Sequence, residues 1–468
     1  MTELTRTGKY SGYTFAQRDP CISTFRKVMC LFTPVPKATP TTANIPVTIS
    51  ANSTGFPNAL LPTGHHASKT GYLVARTDEG QVKALDPDTL EPIGIAHQRD
   101  LHPLLNGPLS ASHAKSDAIT GDVFNYNLDL GPSTIYRVFK TAAATGETEI
   151  LATISSRDVA PAYMHSFFLT ENFVILCVWS AHLMAGGLRV LWEKNVLDAI
   201  APFDASMLSK WFVIDRRHGK GVVAAFESPA AFCFHTINAY EVPAASGSSG
   251  DVDVVCDLIE YDNLDVLQKF YYENMRSSSP AATQWMEAKQ SDCNQHYARY
   301  KLASVPSTTA LPTLTKRQRE RGSPLPAYRP AKLVSTIPNP IAGDMPNINS
   351  SHATKPYRYF WNCTFDASRS TFMDGLCKVD TVTGTGIKWE NPLGHSPGEV
   401  IFLANPDGTE EDDGVLLTIV LDGFNETSYL LCLDARTMAE MGRADCKGVL
   451  PFMFHGQHVR DGARPMDI

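Results

Sequence analysis

The feature that most constrains this chain is a turn that recurs near both of its ends. Residues 85–94 read LDPDTLEPIG and residues 433–442 read LDARTMAEMG, one pattern of Leu-Asp-x-x-Thr-apolar-x-x-apolar-Gly. A weaker echo, KVDTVTG, begins at Lys378. Each string closes a β-rich run. Strand-end turns repeated without a strict period are what propeller blades leave in a sequence when insertions blur the repeat.

The stretches between these turns agree. Residues 71–94 predict a hairpin about the polar turn Thr77 to Gly80, then a second turn. Strand-like runs follow as VFNYNLDL, TIYRVFKT, NFVILCVW, WFVIDRR, GVVAAFES, FCFHTINAYE and VDVVCDLIEY. Later come YRYFWNCTF, EVIFLAN, GVLLTIVLDG and TSYLLCLD. Residues 1–45 read as irregular, with Pro34, Pro36 and Pro40 limiting any helix there. Residues 243–251, PAASGSSGD, predict a loose hairpin tip. The spacing of Leu264, Leu267, Phe270 and Tyr271 predicts a helix from Asn263 lying over one face. From Ser304 to Ile341 the chain is rich in proline and basic residues and reads as a long surface connection. The whole is read as one all-β domain, 1–468.

Composition narrows the function. With 43% hydrophobic and 19% charged residues, the chain can bury a large core. The formal net charge is −8, and one basic run, KRQRER from Lys316, is a poor nucleic-acid site. Ten cysteines show no CxxC spacing, and those inside apolar strands behave as small hydrophobes. MTELTRTGKYSGYTF has no apolar leader, which gives four Asn-x-Ser/Thr sequons little weight. FVILCVWSAHLMAGGL is too short to span a bilayer. These features place the protein in a reducing, cytoplasmic setting.

Four histidines stand in similar surroundings. His165 heads the apolar run in AYMHSFFLTENFVIL, His113 stands in SASHAKSDAITGDVF, His235 in AFCFHTINAYE and His455 in LPFMFHGQH. Each lies beside a strand-like segment, so separate strands would bring one imidazole each to a common centre.

The strings MHSFFLTENFVI, FHTINAYE, PGEVIFLANP, EEDDGVLLTIVLDG, SYLLCLDARTM and FHG, in this order over roughly residues 65 to 460, resemble the carotenoid cleavage oxygenase family. That family of non-haem iron enzymes includes fungal torulene-cleaving oxygenases. The resemblance implies a seven-bladed β-propeller with a loop and helix cap over the iron centre. It implies one Fe(II) per chain, held by His113, His165, His235 and His455. Neutral imidazoles suit ferrous iron and leave positions for dioxygen. Where the family often has a second histidine this chain has Thr236, and His458 is expected on the rim.

The resemblance also implies three carboxylates that hold the second N–H of the ligands, at Asp78, Asp344 and Glu399. Glu399 matches the family's glutamate. The two aspartates are one methylene shorter, so reaching the imidazoles calls for a water or a small backbone shift. Glu79 would serve only if the strand register slipped. Thr77 stands where stilbene-cleaving relatives carry a phenolate-binding lysine, which favours an apolar polyene. GxYxRNGP-like and FDGDG-like strings, which open other members, do not occur here, and the propeller is expected to be incomplete at that end. The implied activity is cleavage of a C=C bond of a carotenoid or apocarotenoid by O2, giving aldehydes or ketones. Peripheral membrane contact would serve substrate uptake. The alternatives are stilbene or phenylpropanoid cleavage, and a truncated, inactive homologue that binds apolar ligands.

Overall fold

The computed structural model describes residues 39–459, apart from 42, 44, 46, 52, 62–70, 132, 194–195, 246–249, 272–273, 275–294, 307–310, 366–372 and 451–452. Most of the stretch read as irregular at the N-terminus, and part of the hairpin tip at 243–251, lie outside the described residues.

The described residues form six antiparallel sheets in chain order. The first holds Thr48–Ala51, Leu73–Arg76, Gln81–Leu85 and Pro92–His97. The second holds Lys115–Ser116, Val123–Asp129, Ile135–Thr141 and Thr148–Ile154. The third holds Phe168–Leu169, Phe173–Val178, Ser209–Asp215 and Val222–Ser228, and Tyr328–Pro330 pairs in parallel with the last of these. The fourth holds Thr236–Pro243, Val252–Tyr261, Gln295–Val305 and Lys332–Pro338. The fifth holds Asp344–Asn347, Tyr359–Thr364, Gly375–Asp380 and Thr385–Lys388. In the sixth, His395–Pro397 and Ile401–Ala404 both pair with Gly414–Asp422, followed by Thr427–Asp434 and Glu440–Asp445. Successive four-stranded up-and-down sheets are propeller blades. Six stand among the described residues, against the seven that the resemblance implies.

The recurrent turn has a common physical basis. In each case an aspartate carboxylate caps the turn that follows it. Asp86 Oδ1 accepts from the Asp88 and Thr89 amides, Asp380 Oδ1 from those of Val382 and Thr383, and Asp434 Oδ1 from that of Thr437. A fourth copy, which the sequence pattern did not flag, uses Asp117 with Ile119 and Thr120. The residue after the threonine then turns left-handed, at φ 58 for Leu90, 77 for Gly121, 70 for Gly384 and 61 for Met438. Its amide returns to the aspartate carbonyl each time. Glycine takes that conformation freely, and leucine and methionine take it at a cost the cap must offset.

Aromatic rings join one blade to the next. Trp211 of the third blade meets Tyr300 of the fourth at 5.1 Å. Tyr297 of the fourth stacks on Phe360 of the fifth at 5.7 Å, and Trp361 of the fifth on Phe402 of the sixth at 4.6 Å. Such pairs add roughly 0.5–1.5 kcal/mol beyond the area they bury. Cys177, Cys233, Cys256 and Cys363 are buried among these strands, where burial raises their thiol pKa values well above the usual range.

Two expectations are corrected. The helix expected from Asn263 is a 3-10 segment, Asp265–Phe270, within the described part of that stretch. Leu264, Leu267 and Tyr271 are buried as the spacing required, but the chain turns extended at Tyr271. The connection from Ser304 to Ile341 carries structure of its own. KRQRER is a short helix, Lys316–Arg321, capped by Thr315, whose hydroxyl accepts from the Gln318 amide. Beyond it, Lys332–Pro338 completes the fourth blade. Its exposed, mixed sequence is what an edge strand with one solvated face requires, and such a strand has no clear hydrophobic period.

The turn at Asp380 gives a pH test. Burial alone would raise its pKa, but Arg358 and the turn amides prevail and hold the carboxyl at about 2. A folded pKa below that of the unfolded chain stabilises the fold above the unfolded value, and this contribution is lost as pH falls toward the folded one. Asp380→Asn should therefore be less stable than the parent at pH 7. The gap should close between about pH 4 and pH 2, as read by urea unfolding. A gap independent of pH would mean that the charge does not act this way.

Candidate metal centre

The four histidines reach one point, although none of them lies within a strand. His113 stands two residues before Lys115–Ser116, His165 three before Phe168–Leu169, and His235 immediately before Thr236–Pro243. Each therefore sits at the head of the first strand of the second, third or fourth blade. His455 comes from the extended C-terminal segment, which Gln457 ties to the first blade by accepting from the Ala51 amide. The ligand atoms of all four lie within 4.8 Å of one another. The rings meet mostly edge-on, with centroids 4.4 Å apart for His113 and His455 and 5.1 Å for His165 and His235.

Three of the imidazoles are held from behind. His165 Nδ1 lies 2.9 Å from both oxygens of Asp78, His235 Nδ1 2.7 Å from Asp344 Oδ1, and His455 Nδ1 3.2 Å from Glu399 Oε1. Asp78 sits in the turn after Leu73–Arg76, Asp344 opens the fifth blade, and Glu399 lies between two inner strands of the sixth. The shorter aspartates thus make direct contact, because the backbone itself comes close. Glu79 faces elsewhere, bridging to Leu109, and burial together with Asp78 pushes its carboxyl up to about 7. Among the described residues, no carboxylate hydrogen-bonds to His113.

These contacts fix the protonation of the site. Burial would raise both aspartates, but the facing imidazole and the donors around each hold them ionised, below the usual carboxylate range. Burial pulls His235 down despite Asp344, and it lowers His113 further, with the other three histidines adding to the effect. Neutral imidazoles that donate their Nδ1–H in a hydrogen bond to a carboxylate present a bare lone pair at Nε2. His235 Nε2 and His455 Nε2 lie 3.3 Å apart, and His113 Nε2 lies 3.2 Å from His455 Nε2. Between His235 and His455, both backed by carboxylates, lone pairs at that distance repel unless a cation lies between them. The donor set therefore fits a divalent transition metal that takes nitrogen ligands.

Residues that the sequence reading passed over complete the site. Ser112 and Tyr163 donate to Asp78, and Tyr261 donates to Asp344. The only trace of them in the sequence is adjacency: Ser112 precedes His113, and Tyr163 stands two before His165. His458 is exposed, and Thr236 turns inward to donate to the Phe167 carbonyl. Thr77 is half-buried in the turn next to Asp78. Beside His235 lies a cleft walled by Val266, Phe270, Met345, Phe365, Met373 and Phe454, with Lys269 also on its wall.

Comparison with known proteins shows the lineage. The family model described as retinal pigment epithelial membrane protein (RPE65) matches residues 5–460. A carotenoid dioxygenase of Neurospora crassa is 41% identical over 99% of this chain and 77% of its own length. A torulene dioxygenase of Fusarium fujikuroi is 40% identical over 98% of this chain and 78% of its own. Among solved structures, a variant of the Synechocystis apocarotenoid oxygenase shares the fold, with a TM-score of 0.61 at 18% identity, covering 83% of this chain and 72% of that one. This chain belongs to the retinal pigment epithelial membrane protein family, that of the carotenoid oxygenases.

Proposed function

We propose that the protein is a non-haem Fe(II) dioxygenase that cleaves a C=C bond of a carotenoid or apocarotenoid with O2 to give two carbonyl products. The observation that carries this reading is the meeting of the His235 and His455 Nε2 atoms at 3.3 Å, each ring backed by a carboxylate, with His113 Nε2 3.2 Å from His455 Nε2. His113, His165, His235 and His455 would hold the iron, and bound Fe(II) would supply the site where dioxygen is taken up. The protein's own part is placement. Asp78, Asp344 and Glu399 fix the ring tautomers and orientations of three ligands. The cleft beside His235 offers a polyene a largely apolar and aromatic wall.

The family's architecture goes with this reading, including a seventh blade and a cap over the centre. The short helical turns at 184–193, 197–199 and 265–270 are the elements that support a cap. Among the described residues no helix is long and apolar enough to cross a membrane. Val449, Leu450, Met453 and Phe454 are exposed on the segment that leads to His455, which supports peripheral membrane contact for substrate uptake. A second reading, cleavage of a stilbene, is favoured by one observation: the Lys269 ammonium on the cleft wall, 4.3 Å from the centre of the Phe365 ring. Thr77, which cannot pair with a phenolate, weighs against it.

Loaded anaerobically with ferrous iron, the protein should bind about one metal per chain through the four imidazoles, measured by mass spectrometry of the metal. His165→Ala or His235→Ala should lose both iron and activity, whereas His458→Ala should keep both. Retention of metal by either of the first two variants would remove that residue from the ligand set.

Incubated under air, the ferrous enzyme should release polyene aldehydes from a long apocarotenal or a torulene-like carotenoid, and little or nothing from resveratrol-like stilbenes. Chromatography with mass spectrometry decides. Phenolic aldehydes with polyenes untouched would select the second reading. Bound iron with no product from either class would select an inactive, ligand-binding homologue.

A further inference from the structure

Each of the two aspartates behind the metal centre receives a buried phenol. The Tyr163 hydroxyl donates to Asp78 Oδ2 at 2.9 Å, and the Tyr261 hydroxyl donates to Asp344 Oδ2 at 2.6 Å. Both tyrosines are buried, at 2% and 3% exposure. They come from different blades, Tyr163 from the loop that leads to His165 and Tyr261 from the end of Val252–Tyr261. The Phe232 ring lies between them, stacked on Tyr163 at 6.1 Å and set 6.2 Å from Tyr261. Phe234 backs both from a second side, at 6.3 and 6.1 Å. One aromatic wall thus fixes both phenols. The Tyr261 phenol takes the Asp344 oxygen that His235 leaves over. The Tyr163 phenol instead shares Asp78 Oδ2 with His165, whose Nδ1 lies 2.9 Å from both oxygens and 3.3 Å from the phenol. Glu399 has a different arrangement, its second oxygen accepting from the Gly456 amide at 3.1 Å.

On the reading that the four histidines hold a metal, we propose that Tyr163 and Tyr261 are positioning residues for the two short carboxylates. An aspartate behind a histidine can present either oxygen, and can rotate away from the ring plane when the second oxygen has no donor. A rigid phenol removes that freedom and keeps the remaining oxygen on Nδ1. The two clamps are unequal. Asp78 also receives the Ser112 hydroxyl at 2.7 Å and the Ser112 amide at 3.2 Å. Among the described residues Asp344 has, besides His235 and Tyr261, the Met345 amide at 2.7 Å as its one further donor. The His235 side of the centre therefore depends more on its tyrosine than the His165 side does.

Titration of the full-length apoprotein with Co(II), followed by visible absorption and calorimetry, tests this. Tyr261→Phe should weaken cobalt binding about tenfold, the lower end of the loss typical when a partner behind a metal ligand is removed. Tyr163→Phe should cost less. In the Asp344→Asn background, Tyr261→Phe should cost nothing further, because the carboxylate it acts through is gone. A structural role would instead weaken binding equally in both backgrounds, and that result overturns the proposal, as does cobalt binding by Tyr261→Phe at parental affinity. If Tyr261→Phe does not fold, the same cycle with Tyr163→Phe and Asp78→Asn decides in its place, by the same criterion. Failure of the unaltered chain to bind cobalt would overturn the metal reading itself, and this proposal with it.

Discussion

The pairing of a buried carboxylate with a buried imidazole is the interaction on which the centre depends. An ionised aspartate removed from water is costly unless donors surround it. Asp78 has four hydrogen-bond donors, counting the Ser112 amide and hydroxyl, the Tyr163 phenol and the His165 ring. Asp344 has three, from His235, Tyr261 and the Met345 amide. With that satisfied, each carboxylate accepts a hydrogen bond from the Nδ1–H of its histidine and turns the bare nitrogen inward. Tautomer, ring orientation and charge follow from this one contact.

The blades exist to bring those contacts together. Three of the histidines stand at strand heads, where the backbone leaves the ladder. Placing them on strand heads of neighbouring blades spaces them around a common point, and the contact of Trp211 with Tyr300 ties together the two blades that carry His165 and His235. The fourth histidine is of a different kind. His455 comes from a segment with no ladder of its own, held by Glu399, by the amide of Gly456 and by Gln457 on the first blade. The centre is closed by a strap, and of the exposed apolar residues on that strap Phe454 lines the cleft.

The turns, most strands and the site-bearing strings were legible in the sequence. Alternating or continuous apolar runs mark strands that pack against neighbours, and the Asp-x-x-Thr cap is a local device whose hydrogen bonds close within five residues. The edge strand Lys332–Pro338 was missed because it is solvated and carries no period. The helical spacing at Leu264 and Leu267 correctly marked buried positions. It could not tell an α-helix from a 3-10 turn, since both place residues three apart on one face.

By itself the sequence determined the repeated strand-end turn and most strands, because these rest on residue type and local pattern. The four histidines and the three carboxylates behind them were marked out by resemblance to the family. Only the tertiary structure decided how far an aspartate must reach. The length of a side chain is written in the sequence, but the distance between the Asp344 strand and the His235 loop is set by how two blades pack. The same holds for Tyr163 and Tyr261, which have no local pattern to set them apart from core tyrosines. Their hydroxyls acquire a role only where separate blades place a carboxylate oxygen within hydrogen-bonding distance.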